Sequence, residues 1–226
     1  METLKVLSID IGITNLGYVY SRLDFYPPEP DSRYKANLIN QNYNLNKNQN
    51  QKYIEILDCN RVDITKVKHN KVPFCNCTLH HDRCIPDYLD HFIQETPHFQ
   101  ECNVLLLERQ PPVGITNVQD LLFKLFRNKV VMVHPASVHA YFNLPSCDYN
   151  LRKIKSEMIS NNYLKNEPNF LNNIRRHDIS DALLMTLYYY KTKMDSIIET
   201  TKFEGTKFET TKSESTNCSF EQFRLC

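Results

Sequence analysis

An α/β domain is expected from this chain, and three features of its 226 residues point to one. Two β-branched, apolar segments separated by a Gly-bearing turn open the sequence, a strand–helix–strand order lies in its middle, and amphipathic helices follow. Hydrophobic residues make up 41% and charged residues 23%, with 12 Phe and 13 Tyr, which is enough apolar surface to build the core of one full-sized domain.

Residues 4–11 (LKVLSIDI) and 16–23 (LGYVYSRL) read as a strand, a tight turn at 12–15 and an antiparallel partner. Residues 26–51 contain PPEP and the run NLINQNYNLNKNQNQ, which has little to bury and reads as a mobile loop over about 27–51. A third strand is expected at 53–59, then an insertion over about 60–85 holding a Cys/His-rich knot, then a helix at about 86–95 with Tyr88, Leu89, Phe92 and Ile93 on one face. Residues 103–107 (NVLLL) suit a central strand buried on both sides. Val118, Leu121, Leu122, Leu125 and Phe126 recur at helical spacing before the strand-like 130–133, and that order implies a parallel crossover. Phe123 and Phe126 read first as core residues, with a dimer interface or a wedge as the other readings. Helices are expected at about 151–164 and 178–191. The domain is drawn as 1–192, and the TKFE repeat beyond it as a low-complexity, disordered tail over 193–226.

Several function classes drop out. No apolar run approaches the roughly 18–20 residues that span a bilayer, and the first residues lead into a strand without a secretory pattern, so no membrane partner and an intracellular compartment are expected. Eight Cys in such a chain are expected reduced or on a metal. Four Gly, at 12, 17, 114 and 205, leave no Gly-rich phosphate loop and no nucleotide cofactor. The net charge of +1 conceals a gradient: residues 121–180 carry nine Lys/Arg against four acids, enough for a basic face.

The acids carry the chemistry. Asp10 closes the first strand, Glu108 closes the central one, and Asp178 and Asp181 stand one turn apart at a helix start. Brought together, they would suit Mg²⁺, a hard cation that takes oxygen ligands, and two such ions can activate water and stabilise the leaving oxygen of a phosphodiester. Without cations their repulsion would raise their pKa values. Each also has a structural reading: Asp178-x-x-Asp181 resembles a capping box, and Asp10 precedes a Gly turn.

The segments SIDIGITNLGYVY (8–20), LLLERQ (105–110), VVMVHPASV (130–138) and HDISDALLM (177–185) resemble the RuvC-type Holliday junction resolvases of the RNase H-like superfamily. The E-R-Q form of the second motif is closest to the mitochondrial fungal and the poxvirus and iridovirus branches. The resemblance covers roughly 4–24, 53–59 and 102–192. It implies a five-stranded mixed sheet flanked by helices, with Asp10, Glu108, Asp178 and Asp181 as ligands of Mg²⁺, or of Mn²⁺ in its place. Basic residues at the start of the penultimate helix match RKIK (152–155), so Lys155, or else Lys153, would contact the scissile phosphate. The implied function is resolution of four-way DNA junctions by paired symmetric nicks, most simply made by a homodimer. The loop RQPPVGITN (109–117) departs from the family where its members insert residues into the junction.

Cys75, Cys77, His80, His81 and Cys84 form C-x-C-x2-H-H-x2-C, and four of the five would complete a tetrahedral structural Zn²⁺ site. The compressed spacing either draws in Cys59 or Cys102 or leaves an ordinary loop. Three rival functions stand beside the resolvase: an ATP-dependent kinase or actin-like fold, disfavoured by size and scarce Gly, an RNase H-like nuclease acting on RNA–DNA hybrids or flaps, and a catalytically inert nucleic-acid-binding module or scaffold. Free use of Asn, Lys, Ile and Tyr without Trp suggests an AT-rich gene. With the resemblance it favours a virus of eukaryotes or a protist, and, if viral, the host compartment where viral DNA replicates.

Overall fold

The computed structural model describes residues 2–25, 53–67, 84–112, 116–145 and 148–213, with side chains to residue 200. Strands β1 (Glu2–Asp10), β2 (Leu16–Phe25), β3 (Ile54–Val62), β4 (Val104–Glu108) and β5 (Val130–Val133) form one mixed sheet in the order β3-β2-β1-β4-β5. β1 and β2 pair antiparallel in continuous register from Glu2↔Phe25 to Asp10↔Gly17, and β2 pairs antiparallel with β3. β4 lies parallel to both β1 and β5, so the expected crossover is present and β1 is the sheet's centre. The helices are α1 (Ile85–Glu95), α2 (His98–Glu101), α3 (Thr116–Leu125), α4 (Pro135–Tyr141), α5 (Tyr149–Leu164), α6 (Pro168–Leu171) and α7 (Arg176–Ser213). Among the described residues no helix is long and apolar enough to cross a membrane.

Alternation along the central strands sorts the core into two layers. Leu7, Ile9, Leu105 and Leu107 face Phe92, Phe99 and Phe126, beneath α1 and α3. Val6, Val19 and Leu106 face Ile179, Leu183 and Leu187 of α7. Asp10 shares the parity of Val6, and Glu108 that of Leu106, so both acids emerge on the α7 side at the carboxyl ends of neighbouring parallel strands.

Four boundaries differ from expectation. Asn60–Val62 belong to β3, paired with Leu16–Tyr18, and a 3₁₀ turn at Ile64–Lys66 docks on the first hairpin through Ile64 N–H to the Ile13 carbonyl (3.0 Å), so residues 60–67 extend the sheet and its hairpin where an insertion from about 60 is expected. Helix α7 does not stop near 191: Met194 and Ile197 pack on the core, and Lys193 meets Glu2 at 2.8 Å and lies 5.0 Å over the Phe25 ring. The folded domain therefore passes the boundary drawn at 192, and the helix continues through the first TKFE units. The short helices α2, α4 and α6 were not expected, and α4 is built on Pro at its first turn with His134 Nδ1 accepting from Ala136 N–H. Phe126 is core, stacked on Phe99 at 5.3 Å, whereas Phe123 is 36% exposed under the Arg127 guanidinium.

The Asn-rich stretch at about 27–51 and Cys75, Cys77, His80 and His81 lie outside the described residues. Cys84 is the N-cap residue of α1. Cys59 and Cys102 are buried on opposite core layers, so they cannot both complete one zinc site with it. Burial pushes the Cys59 thiol up to about 12, ahead of nearby Glu167 and Asp58, leaving it protonated.

Candidate active site

Asp10 reaches the site because β1 ends where its partner strand has no side chain. Its register partner is Gly17, and a Cβ there would overlap the backbone carbonyl of Asp178. Glycine thus lets the first turn of α7 rest directly on β2, beside the end of β1. Gly12 serves the adjacent turn, where a Cβ would come within 2.7 Å of the Asn15 carbonyl oxygen. Lower down, the buried Ser8 and Thr186 hydroxyls meet at 2.6 Å, fixing α7 against β1.

Helix α7 begins at Arg176, so Asp178 lies inside the first turn and is not the cap that the capping-box reading expects. There a carboxylate still benefits from the positive end of the helix dipole. Asp178 is 6% exposed, and both of its oxygens are engaged: Arg175 Nε donates to Oδ2 at 2.9 Å and Nη2 to Oδ1 at 3.4 Å, while His177 Nε2 lies 3.1 Å from Oδ1. Asp181 is one turn further on. Glu108 accepts from the Gln110 side chain at 2.9 Å.

The four acids line one cleft of about 220 Å³, with Pro135, Val138 and His139 of α4 on one wall and Tyr149, Arg152 and Lys153 of α5 on another. Lys153 Nζ lies 2.9 Å from His177 Nε2 and 4.0 Å from the Tyr149 ring centroid. Lys155 does not reach the cleft and is exposed. Ser156, Ser160 and Leu164 define the buried face of α5, and Arg152 and Lys153, one turn before Ser156, lie toward that face while Lys155 points away from it.

Electrostatics in the cleft follow from acids crowded away from water. Asp10 is held well above the ordinary carboxylate range, by burial first and then by Glu108, Asp181 and Asp178. Burial, with Glu108 and Asp178, pushes Asp181 up to about 7, against the pull of Ser156 and Arg152. Ser156 acts from beyond direct hydrogen-bond contact. His177 is held below its ordinary value by burial, reinforced by Lys153 and Arg175 against Asp178 and Glu157, so it is a neutral imidazole that can accept from the Lys153 ammonium.

A hard divalent cation fits the donor set, which is all carboxylate oxygen and short of positive charge at Asp10 and Asp181. As they stand, no three His, Cys, Asp or Glu side chains among the described residues are drawn together closely enough to hold an ion. Sequence reasoning finds the acids and misses Arg175, His177, His139 and Tyr149. The basic pair beside HDISD was the available signal for Arg175.

No family model matches the chain, and no curated protein matches it. Its backbone is similar to the fowlpox virus resolvase in complex with substrate Holliday junction DNA (TM-score 0.53, 16% identity, 84% of this chain and 99% of that one). The crystal structure of the fowlpox virus Holliday junction resolvase gives 0.52 at the same identity and coverage. The yeast mitochondrial Holliday junction resolvase gives 0.51 at 16% identity, over 90% of this chain and 83% of that one. At such identities the likeness is one of fold.

Proposed function

We propose, from the RNase H-like fold this chain shares with solved Holliday junction resolvases and from the acids in its cleft, that it is a divalent-metal-dependent endonuclease acting on four-way DNA junctions. One observation carries the reading: Asp10, Glu108, Asp178 and Asp181, from two strand ends and a helix start, line one cleft with Arg152 and Lys153 on its wall. Rigid elements hold all of them, as phosphoryl chemistry requires.

Asp10, Glu108, Asp178 and Asp181 would hold Mg²⁺, or Mn²⁺, which when bound supplies an activated water and neutralises charge on the phosphodiester. Lys153 is the cation for the scissile phosphate: His177 and the Tyr149 ring orient its ammonium, and Arg152 adds a second positive charge to the same wall. Cleavage by in-line displacement would leave 5′-phosphate and 3′-hydroxyl ends. Paired nicks on opposed strands imply a two-fold dimer, one cleft per subunit. The basic residues between 121 and 180 would position the junction through phosphate contacts and shape.

The test is incubation of the full chain with a labelled four-way junction, linear duplex, a flap and an RNA–DNA hybrid, with MgCl₂ or EDTA. Paired symmetric nicks on the junction, only with MgCl₂, are expected. Cutting of the hybrid or flap alone would replace the substrate, and binding without cutting would overturn the enzyme. In the same assay Lys153→Ala should slow junction cutting about 10²-fold, whereas Lys155→Ala should leave the rate within about twofold. Equal losses would remove Lys153 from its role.

A further inference from the structure

Asp178 is the most buried of the cleft acids, yet it is already satisfied. Arg175 holds it in a two-point, charge-assisted contact, the strongest kind of carboxylate hydrogen bonding, from the residue just before α7. The Arg175 side chain is still 43% exposed, so a cation open to solvent rests on a carboxylate that lines the cleft. Its neighbour Arg176 does something else: its Nη2 donates to the Leu171 carbonyl at 2.6 Å and its guanidinium lies over the Phe170 ring, tying α6 to α7. Of the two arginines, Arg175 is the one that rests on an acid of the cleft.

We propose that Arg175 is a substrate-released latch: in the DNA-free protein it occupies the Asp178 carboxylate in place of a metal ion, and a DNA phosphate at the cleft mouth draws it off. The inference deepens the nuclease reading and rests on it. A guanidinium makes the same fork to a phosphate as to a carboxylate, so exchange keeps its hydrogen bonds while freeing both Asp178 oxygens. Two cations cannot share Asp178 without repulsion, so Arg175 lowers metal affinity until DNA arrives. By linkage, DNA and metal then each tighten the other's binding. Arg175 acts through Asp178 and is a positioning residue, not a catalytic one.

Thermal melting of the full-length protein against MgCl₂, without DNA, reads this directly. Arg175→Ala and Arg175→Gln should each lower the MgCl₂ midpoint about five- to tenfold relative to wild type. Arg176→Ala, which removes the same charge one residue away, should leave the midpoint within about twofold. In EDTA, Arg175→Ala should reduce the salt dependence of junction binding by about one phosphate contact. Arg175→Lys, which keeps the charge and loses the fork, should fall between wild type and alanine on both readouts. Identical MgCl₂ midpoints in wild type and both Arg175 variants would overturn the latch and leave the nuclease standing. A wild type whose melting ignores MgCl₂, with or without junction DNA, would overturn the metal reading itself.

Discussion

Asp181→Asn should abolish junction cleavage and at the same time make the metal-free protein more stable. Loss of one charged oxygen ligand is expected to cost at least about 10²–10³-fold in rate, while the phosphate contacts that hold the junction are untouched. The stability gain has a definite sign. Asp181 titrates at about 7 in the folded chain against an ordinary value of 3.8, so the folded state binds the extra proton and wild-type stability falls as pH rises between those values. Asparagine carries no charge to bury. Its advantage should be absent near pH 4, grow through pH 5–6 and be complete above about pH 7, appearing as a rise of about 2–4 °C in melting temperature for each kcal/mol recovered at this chain length. Melting curves of both proteins in EDTA at pH 4, 6 and 8 check this, and MgCl₂ should then stabilise wild type more than the variant. A variant that still cuts at the normal rate would remove Asp181 from the site.

Gly17→Ala should damage fold and site together. The added methyl group meets the Asp178 backbone, which cannot rotate aside as a side chain would, so the first turn of α7 must lift off β2. Overpacking of this kind costs about 1–3 kcal/mol. A displacement of about 1 Å at the acids costs on the order of 10²-fold in rate. Urea unfolding and junction cleavage measured on one preparation separate the two effects. If cleavage falls no further than the folded fraction, Gly17 is a packing residue only.

Legibility in the sequence followed the strength of local patterning. The five strands and the positions of Asp10 and Glu108 were readable because apolar runs on both sides leave a strand-end carboxylate little else to do. The parallel crossover followed from the order strand, helix, strand. Lys153 and Lys155 could not be separated, because α5 buries serines and exposes Leu151, Ile154 and Met158, inverting the usual periodic signal. The end of α7 was missed for a related reason: residues 188–197 look mixed in sequence, yet they lie along the outer length of β1 and β2, where Tyr188, Tyr189, Met194 and Ile197 are half-buried and Lys193 spans Phe25 to Glu2. The Arg175 contact is tertiary in consequence though local in sequence, and no spacing rule distinguishes it from the neighbouring Arg176.

The seating of α7 on Gly17 also sets when the acids of the cleft first come together in a newly made molecule. Asp10 leaves the ribosome well before the helix that carries Asp178 and Asp181. A nascent chain can pair β1 with β2 early, but until α7 emerges that hairpin has one bare apolar face and Asp10 has only Glu108 of β4 to join it. Burial of Val6, Val19 and Leu23 by Ile179, Leu183 and Leu187 and completion of the cleft are therefore a single late event. Polypeptides cut short before about residue 176 would be sticky and would lack Asp178 and Asp181, so protein quality control can remove them before the cleft exists.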